Sequence, residues 1–124
     1  MPATPADAKG LLLSAIDDPN PVIVIEHKLL YRTSGEVPIE AVRTPLGKAA
    51  VRRRGDDITL VATGIMVSRS LEAADALAAQ GVEATVIDVR SLVPFDAETV
   101  LNAVKGTGRV LLVQEAVKSC GFMK

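Results

Sequence analysis

Three short β-rich runs, Ile58-Thr-Leu-Val-Ala-Thr63, Ala84-Thr-Val-Ile-Asp-Val89 and Val110-Leu-Leu-Val-Gln114, alternate with two stretches of helical character, Ser68–Gln80 and Asp96–Lys105. Strand, helix, strand, helix, strand in that order leaves few folds open. Crossover helices that return the chain to the same edge of a sheet give parallel strands and right-handed connections, hence an α/β fold built on a βαβαβ unit. The punctuation agrees. Ser68 is expected to cap the first crossover helix, Leu71, Ala74 and Leu77 to form its buried stripe, Gly81 to supply a left-handed C-terminal cap, and Asp96 to cap the second helix. Ligands of such sheets bind beyond the carboxyl ends of the strands, here at Gly64-Ile65-Met66, Arg90-Ser91 and Glu115-Ala116. The glycine-rich dinucleotide fingerprint is absent: Gly64 stands alone, and Gly106-Thr-Gly108 precedes a strand rather than a helix.

The N-terminal part is organised differently. Thr4-Pro5-Ala6-Asp7 is a helix start, with a side-chain cap, a proline in the first turn and an acid at the positive end. The helix runs to about Asp17 on an apolar face of Leu11, Leu12, Ala15 and Ile16, and Pro19 and Pro21 forbid its continuation. A buried-strand run, Val22–Glu26, follows. From His27 to about Leu46 the pattern dissolves into turn residues, Ser34-Gly35, Pro38 and Thr44-Pro45, which read as an interdomain linker. A lone helix and strand before a linker, and an unfinished α/β repeat after it, give the chain the organisation of the middle of a larger protein.

Composition narrows the partners. Of the 124 residues 48% are hydrophobic, and the mean hydropathy of +0.30 is high for a short chain, so part of the apolar surface is expected to serve an interface. Fourteen basic and fifteen acidic side chains leave a formal net charge of -1, which supplies no field to draw in nucleic acid or an anionic membrane. No apolar run approaches the ~18–20 residues of a membrane span, and the opening residues lack the apolar core of a signal peptide. The single cysteine, Cys120, permits no intramolecular disulfide. The expected setting is cytoplasmic.

Few residues stand out as chemistry. His27, the only histidine, lies between Glu26 and Lys28; a general base is conceivable there, but with no assignable nucleophile or orienting partner a strand-end polar residue is the better account. Cys120 reads as a small side chain in a loop, with nothing nearby in the sequence that marks it as reactive. Arg52-Arg53-Arg54 is offset by Asp56-Asp57 and reads as a solvated charged hairpin or strand end. The corner Asp17-Asp18-Pro19-Asn20 is more unusual, because carboxylates at a helix C-terminus face the negative end of the dipole. Free carbonyls around Ala15 and Ile16, with the oxygens of Asp18 and Asn20, would form an all-oxygen cage for a hard cation. A solvated turn shaped by Asp and Asn hydrogen bonds stays open beside it.

Beyond these features the chain resembles the beta subunit of the thiamine-diphosphate-dependent decarboxylating component of 2-oxoacid dehydrogenase complexes, including pyruvate, branched-chain 2-oxoacid and acetoin dehydrogenases. The resemblance rests on Asp7-Ala-Lys-Gly-Leu-Leu, Ser14-Ala-Ile-Asp-Asp-Pro-Asn-Pro, Glu26-His-Lys-Leu-Leu-Tyr-Arg, Pro45-Leu-Gly-Lys-Ala, Asp57-Ile-Thr-Leu-Val-Ala, Val86-Ile-Asp-Val-Arg-Ser-Leu-Val-Pro and Thr107-Gly-Arg, in order along essentially the whole chain.

The resemblance implies that residues 1–26 are the end of a pyrimidine-binding domain, 27–50 a linker and 51–124 an incomplete transketolase C-terminal-like domain. It implies an enzyme of the oxidoreductase class that passes an acyl group to a lipoyl carrier, working as an alpha/beta heterotetramer with an alpha subunit, a second beta subunit and a lipoyl acyltransferase core. Thiamine diphosphate and magnesium belong to that complete enzyme, whose catalytic glutamate and histidine match no position here, so no catalytic or cofactor-binding residue is assigned. One site does carry over: a structural potassium ion held at the corner matching Ala15, Ile16, Asp18 and Asn20. In a eukaryote the implied compartment is the mitochondrial matrix. A non-catalytic docking or dimerisation module is the alternative; a transketolase or deoxyxylulose-phosphate synthase relative is disfavoured by Glu26-His-Lys-Leu-Leu-Tyr-Arg. The loop Ser119–Lys124 is expected to leave sheet edges uncovered, and the isolated chain to self-associate or be poorly stable.

Overall fold

The computed structural model describes residues 1–117 and 119–122. Of the C-terminal loop, Met123 and Lys124 lie outside the described residues. Helix α1, Pro5–Asp17, begins as its sequence dictates: the Thr4 side chain accepts the Asp7 amide at 3.2 Å, and proline occupies the first turn. It ends where Asp18 turns extended ahead of Pro19. The run Val22–Glu26 forms no strand, which corrects the expectation from its composition. β-branched residues favour extended backbone, yet a strand exists only where a neighbour completes its ladder, and none does so among the described residues. Lys28–Arg32 forms a 3-10 turn within the linker.

That linker is strapped along α1. The Lys9 ammonium donates to the carbonyls of Pro38, Ile39 and Glu40, Ser14 Oγ donates to Thr44 O at 2.7 Å, and the Thr44 amide returns a bond to Gly10 O at 3.1 Å. Gly10 makes the approach possible, because a Cβ there would sit 2.2 Å from Thr44 Oγ1.

A four-stranded sheet carries the rest: β1 (Ala50–Arg53), β2 (Ile58–Ala62), β3 (Ala84–Asp88) and β4 (Val110–Val113), in the order β1-β3-β2-β4. β2 is parallel to both β3 and β4, as the alternation requires. β1 is antiparallel to β3 with a register shift between Val51 and Arg53, so the sheet is mixed. Helices α2 (Ile65–Ala78) and α3 (Ala97–Thr107) cover opposite faces. Because strand side chains alternate in direction, Leu60 and Val86 meet Leu71, Ala74 and Leu77 of α2, while Val61 and Ile87 meet Val100, Ala103 and Val104 of α3.

The helix ends follow the sequence with one exception. Gly81 and Gly108 adopt the left-handed φ of C-terminal caps, at 79° and 66°, and the Asp96 carboxylate accepts the Thr99 amide at 3.2 Å. Ser68, however, lies inside α2, where its hydroxyl donates to Ile65 O at 2.8 Å; the helix starts after Gly64. Gly64, with a positive φ of 53°, stands at the junction between β2 and α2.

Candidate functional site at the carboxyl edge of the sheet

From β2 the chain crosses to β3 on one side and then back to β4 on the other, so strand order reverses between β2 and β4. Open α/β sheets hold ligands at such a reversal. Its rim is made by Thr63-Gly64 after β2 and Gln114-Glu115 after β4, and beside it Ala3 packs against Ala62 while the Met1 amine donates to Arg90 O at 2.6 Å.

Next to it, four charged side chains from distant parts of the chain converge. Asp7 of α1 is 5% exposed and Asp88, at the end of β3, 0%. Arg52 from β1 lies between them, bonded to Asp7 and donating from Nη2 to Asp88 Oδ2 at 2.7 Å. Arg90 reaches Asp7 Oδ1 at 3.0 Å and Ala49 O at 3.1 Å, from a backbone in the left-handed region at φ 57°. The Arg90 amide, donating to Asp88 Oδ1 at 3.1 Å, holds that conformation. Arg52 is therefore an inward, paired strand residue, which corrects its reading as part of a solvated hairpin or strand end; Arg53, on the same strand, pairs outward with Asp75 and Glu83. Burial opposes ionisation of Asp7, but Arg52 and Arg90 outweigh it and hold the carboxyl below its ordinary value. At Asp88 burial wins and raises it, with Arg52 offsetting only part.

The helix corner comes next to this cluster, since Asp18 and Asn20 share a cavity with Arg90. Asp17, the first misplaced carboxylate, is paired with Arg43 of the linker, so a side chain supplies its compensating cation. Asp18 Oδ1 accepts the Asn20 amide at 2.9 Å and Asn20 Nδ2 at 3.1 Å, the local bonding of an Asx turn. Ala15 and Ile16 lie in the last turn, whose carbonyls have no intrahelical amide. The corner opens into a cavity of about 660 Å³ whose lining includes Asp18, Asn20, Ile23, Arg90 and Leu92. Among the described residues no three His, Cys, Asp or Glu side chains gather as a metal-binding group.

His27 is neither a free strand-end residue nor an isolated base. Its Nδ1 accepts the Leu29 amide at 3.2 Å, capping the 3-10 turn, and its Nε2 lies 3.1 Å from a Glu115 oxygen. Cys120 is exposed in the turn after β4.

Residues 47–124 match the family model of the transketolase C-terminal domain. The chain belongs to the transketolase C-terminal domain family. Within that family it is 50% identical over 121 residues to the beta subunit of acetoin:2,6-dichlorophenolindophenol oxidoreductase of Cupriavidus necator, covering 98% of this chain and 36% of that protein. Two Bacillus subtilis proteins are similar at nearly the same level: the pyruvate dehydrogenase E1 component subunit beta, 48% identical over 98% of this chain and 38% of that protein, and the 2-oxoisovalerate dehydrogenase subunit beta, 47% identical over 99% and 38%. This chain thus spans little more than a third of the length of these relatives. A solved structure described as a split-gene transketolase, inactive beta4 tetramer, is 40% identical and superposes with a TM-score of 0.57 over 60% of this chain and 25% of that one. The fold expected from the alternation, an α/β transketolase C-terminal-like sheet, is the one found, with β1 added as an antiparallel edge.

Proposed function

We propose that this chain works as part of the beta subunit of a thiamine-diphosphate-dependent 2-oxoacid or acetoin dehydrogenase, supporting oxidative decarboxylation and acyl transfer to a lipoyl carrier. The observation that carries the reading is identity near one half, sustained over 98% of the chain, to beta subunits of three such enzymes. The three similarities are equal to within a few per cent, so the substrate is left as the class of 2-oxoacids and acetoin. Thiamine diphosphate, with magnesium, would supply the carbanion that attacks the oxo carbon. Among the described residues, the charged groups at the carboxyl edge, Asp7, Arg52, Asp88 and Arg90, are engaged with one another and do not fit a diphosphate. What these residues do is mechanical: Asp7, Arg52, Asp88 and Arg90 lock α1 onto the sheet, which would fix the relative placement of two domains of the parent subunit.

The potassium site belongs to the same reading. Ala15 and Ile16 would offer last-turn carbonyls, with Asp18 and Asn20 adding side-chain oxygens, a donor set suited to a hard monovalent cation. The proposed partners are an alpha subunit, a second beta subunit and the acyltransferase core, and the proposed compartment is the cytoplasm, or the mitochondrial matrix in a eukaryote. The test is an exchange: this chain replaces the matching third of the Bacillus subtilis pyruvate dehydrogenase beta subunit, and decarboxylation is assayed with the alpha subunit and cofactor. Retained turnover supports the reading. A folded, assembled hybrid without turnover favours the alternative, a docking module with no catalytic contribution.

A further inference from the structure

His27 makes two hydrogen bonds that require one particular state of its ring. The Nδ1 atom accepts the Leu29 amide at 3.2 Å and must therefore be unprotonated, which places the single ring proton of the neutral form on Nε2, facing Glu115 at 3.1 Å. One tautomer satisfies both partners. Adding a second proton does not: Nδ1 becomes a donor aimed at a donor, and the cap on the turn Lys28–Arg32 is lost, while the bond to Glu115 becomes an ion pair. The two bonds thus respond to acid in opposite directions, and they join different parts of the molecule. Leu29 belongs to the linker, whereas Glu115 closes β4 at the point where strand order reverses, 88 residues away.

We propose that His27 is an acid-operated latch, which in its neutral form folds the start of the linker into a 3-10 turn and in its protonated form releases that turn while tightening on the carboxyl edge of the sheet. The groups facing the ring are few. Glu115 comes from the end of β4; Glu26, Lys28 and Tyr31 come from the ring's own segment, with Glu26 engaged by the Tyr31 hydroxyl at 3.1 Å. Pro2, Ala3, Thr4 and Pro5, which line the same cavity of about 270 Å³, bring no ionisable side chain. Because the ring is only 23% exposed and Glu115 54%, Glu115 can follow the imidazole more readily than the ring can leave its cavity. What yields on protonation is therefore the cap. The device is independent of the enzymatic reading, since it uses only contacts within this chain.

Amide and imidazole NMR on the intact chain between pH 8 and 5 tests it. The Leu29 amide should shift with the same midpoint as the His27 ring. Its exchange protection, corrected for intrinsic rates, should fall roughly fivefold on the acid side, the scale of a lost side-chain cap. In His27→Asn, which keeps a capping oxygen but cannot titrate, the Leu29 signal should stay flat. In Glu115→Gln the Leu29 response should persist, because the cap itself is untouched. A ring that titrates while Leu29 stays still, or a Leu29 transition that survives His27→Asn, overturns the latch.

Discussion

Leu60, Val61, Val86 and Ile87 in the sheet are at most 3% exposed, whereas Ile16, Ile23 and Ile39 in the N-terminal arm are 70%, 86% and 95% exposed. Both regions carry apolar runs, but in the arm only α1 forms what its spacing favours, while Val22–Glu26 joins no sheet. The central strands bury nearly all of what they form, whereas α1 buries Leu11 and leaves Leu12 and Ile16 exposed. Across β2 and β3 helices cover the two faces of the sheet, and dispersion and the hydrophobic effect do the holding, while β4 stays largely exposed. From Pro5 to Leu46, Leu11 aside, the holding is polar: lysine on carbonyls, serine and threonine on backbone, arginine on aspartate. The contrast teaches that period specifies an element while burial needs a second surface, and that the arm is fastened to this sheet chiefly by its charges.

The comparison breaks most visibly at Ile87. Truncation to alanine in a closed core removes buried methyl groups and leaves a cavity, so Ile87→Ala should cost about 4 kcal/mol. Urea denaturation checks it, and a loss under 1 kcal/mol would mean that the sheet is no better packed than the arm. Asp7→Asn comes next. Removing one partner of a buried pair costs about 3–5 kcal/mol, and because Arg52 is 23% exposed and Arg90 14%, about 2–3 kcal/mol is expected after discounting for solvent.

The same pair of carboxylates gives the region a pH signature. Asp7 in the folded chain titrates below the ordinary value of 3.8, so its contribution is full above 3.8 and is lost as pH falls through its lower folded value. Asp88 titrates above 3.8, so its ionised form opposes folding at neutral pH and that opposition fades as pH falls through its raised folded value. Stability should therefore rise slightly on mild acidification before it collapses. Asp88→Asn should abolish the rise and keep the collapse, read as the urea midpoint between pH 6 and 3.

Much of this was written locally in the sequence. α1, α3 and strands β2, β3 and β4 are legible because caps, glycine stops and apolar runs lie within a few residues of the backbone they govern. β1 was not, since Arg52-Arg53-Arg54 looks solvated until its partners are known, and Arg52 finds Asp7 and Asp88 at 45 and 36 residues' distance. Val22–Glu26 erred in the opposite direction: its composition is that of a strand, but a ladder is not a local property. One further readable signal is the lone acid in Ala84-Thr-Val-Ile-Asp-Val89, because a buried carboxylate in an apolar strand demands a cation. The Glu115 partner of His27 had no such marker, being an ordinary acid after an ordinary strand.

Gly10→Ala gives the smallest effect and the sharpest contrast between arm and core. In an exposed helix interior alanine gains about 1 kcal/mol over glycine from propensity alone. At Gly10 the new methyl would meet the Thr44 hydroxyl at 2.2 Å, its Cβ at 3.0 Å and its amide nitrogen at 3.1 Å, so side-chain rotation alone cannot clear it and the linker must move. Overpacking of this kind costs about 1–3 kcal/mol, which leaves a net loss near 1 kcal/mol. Its signature is local: the Thr44 amide, bonded to Gly10 O, should lose exchange protection while the amides of β3 keep theirs. If the β3 amides lost protection in step with Thr44, arm and sheet would open as one unit, and the division between a polar-strapped region and an apolar-packed one would have no energetic meaning.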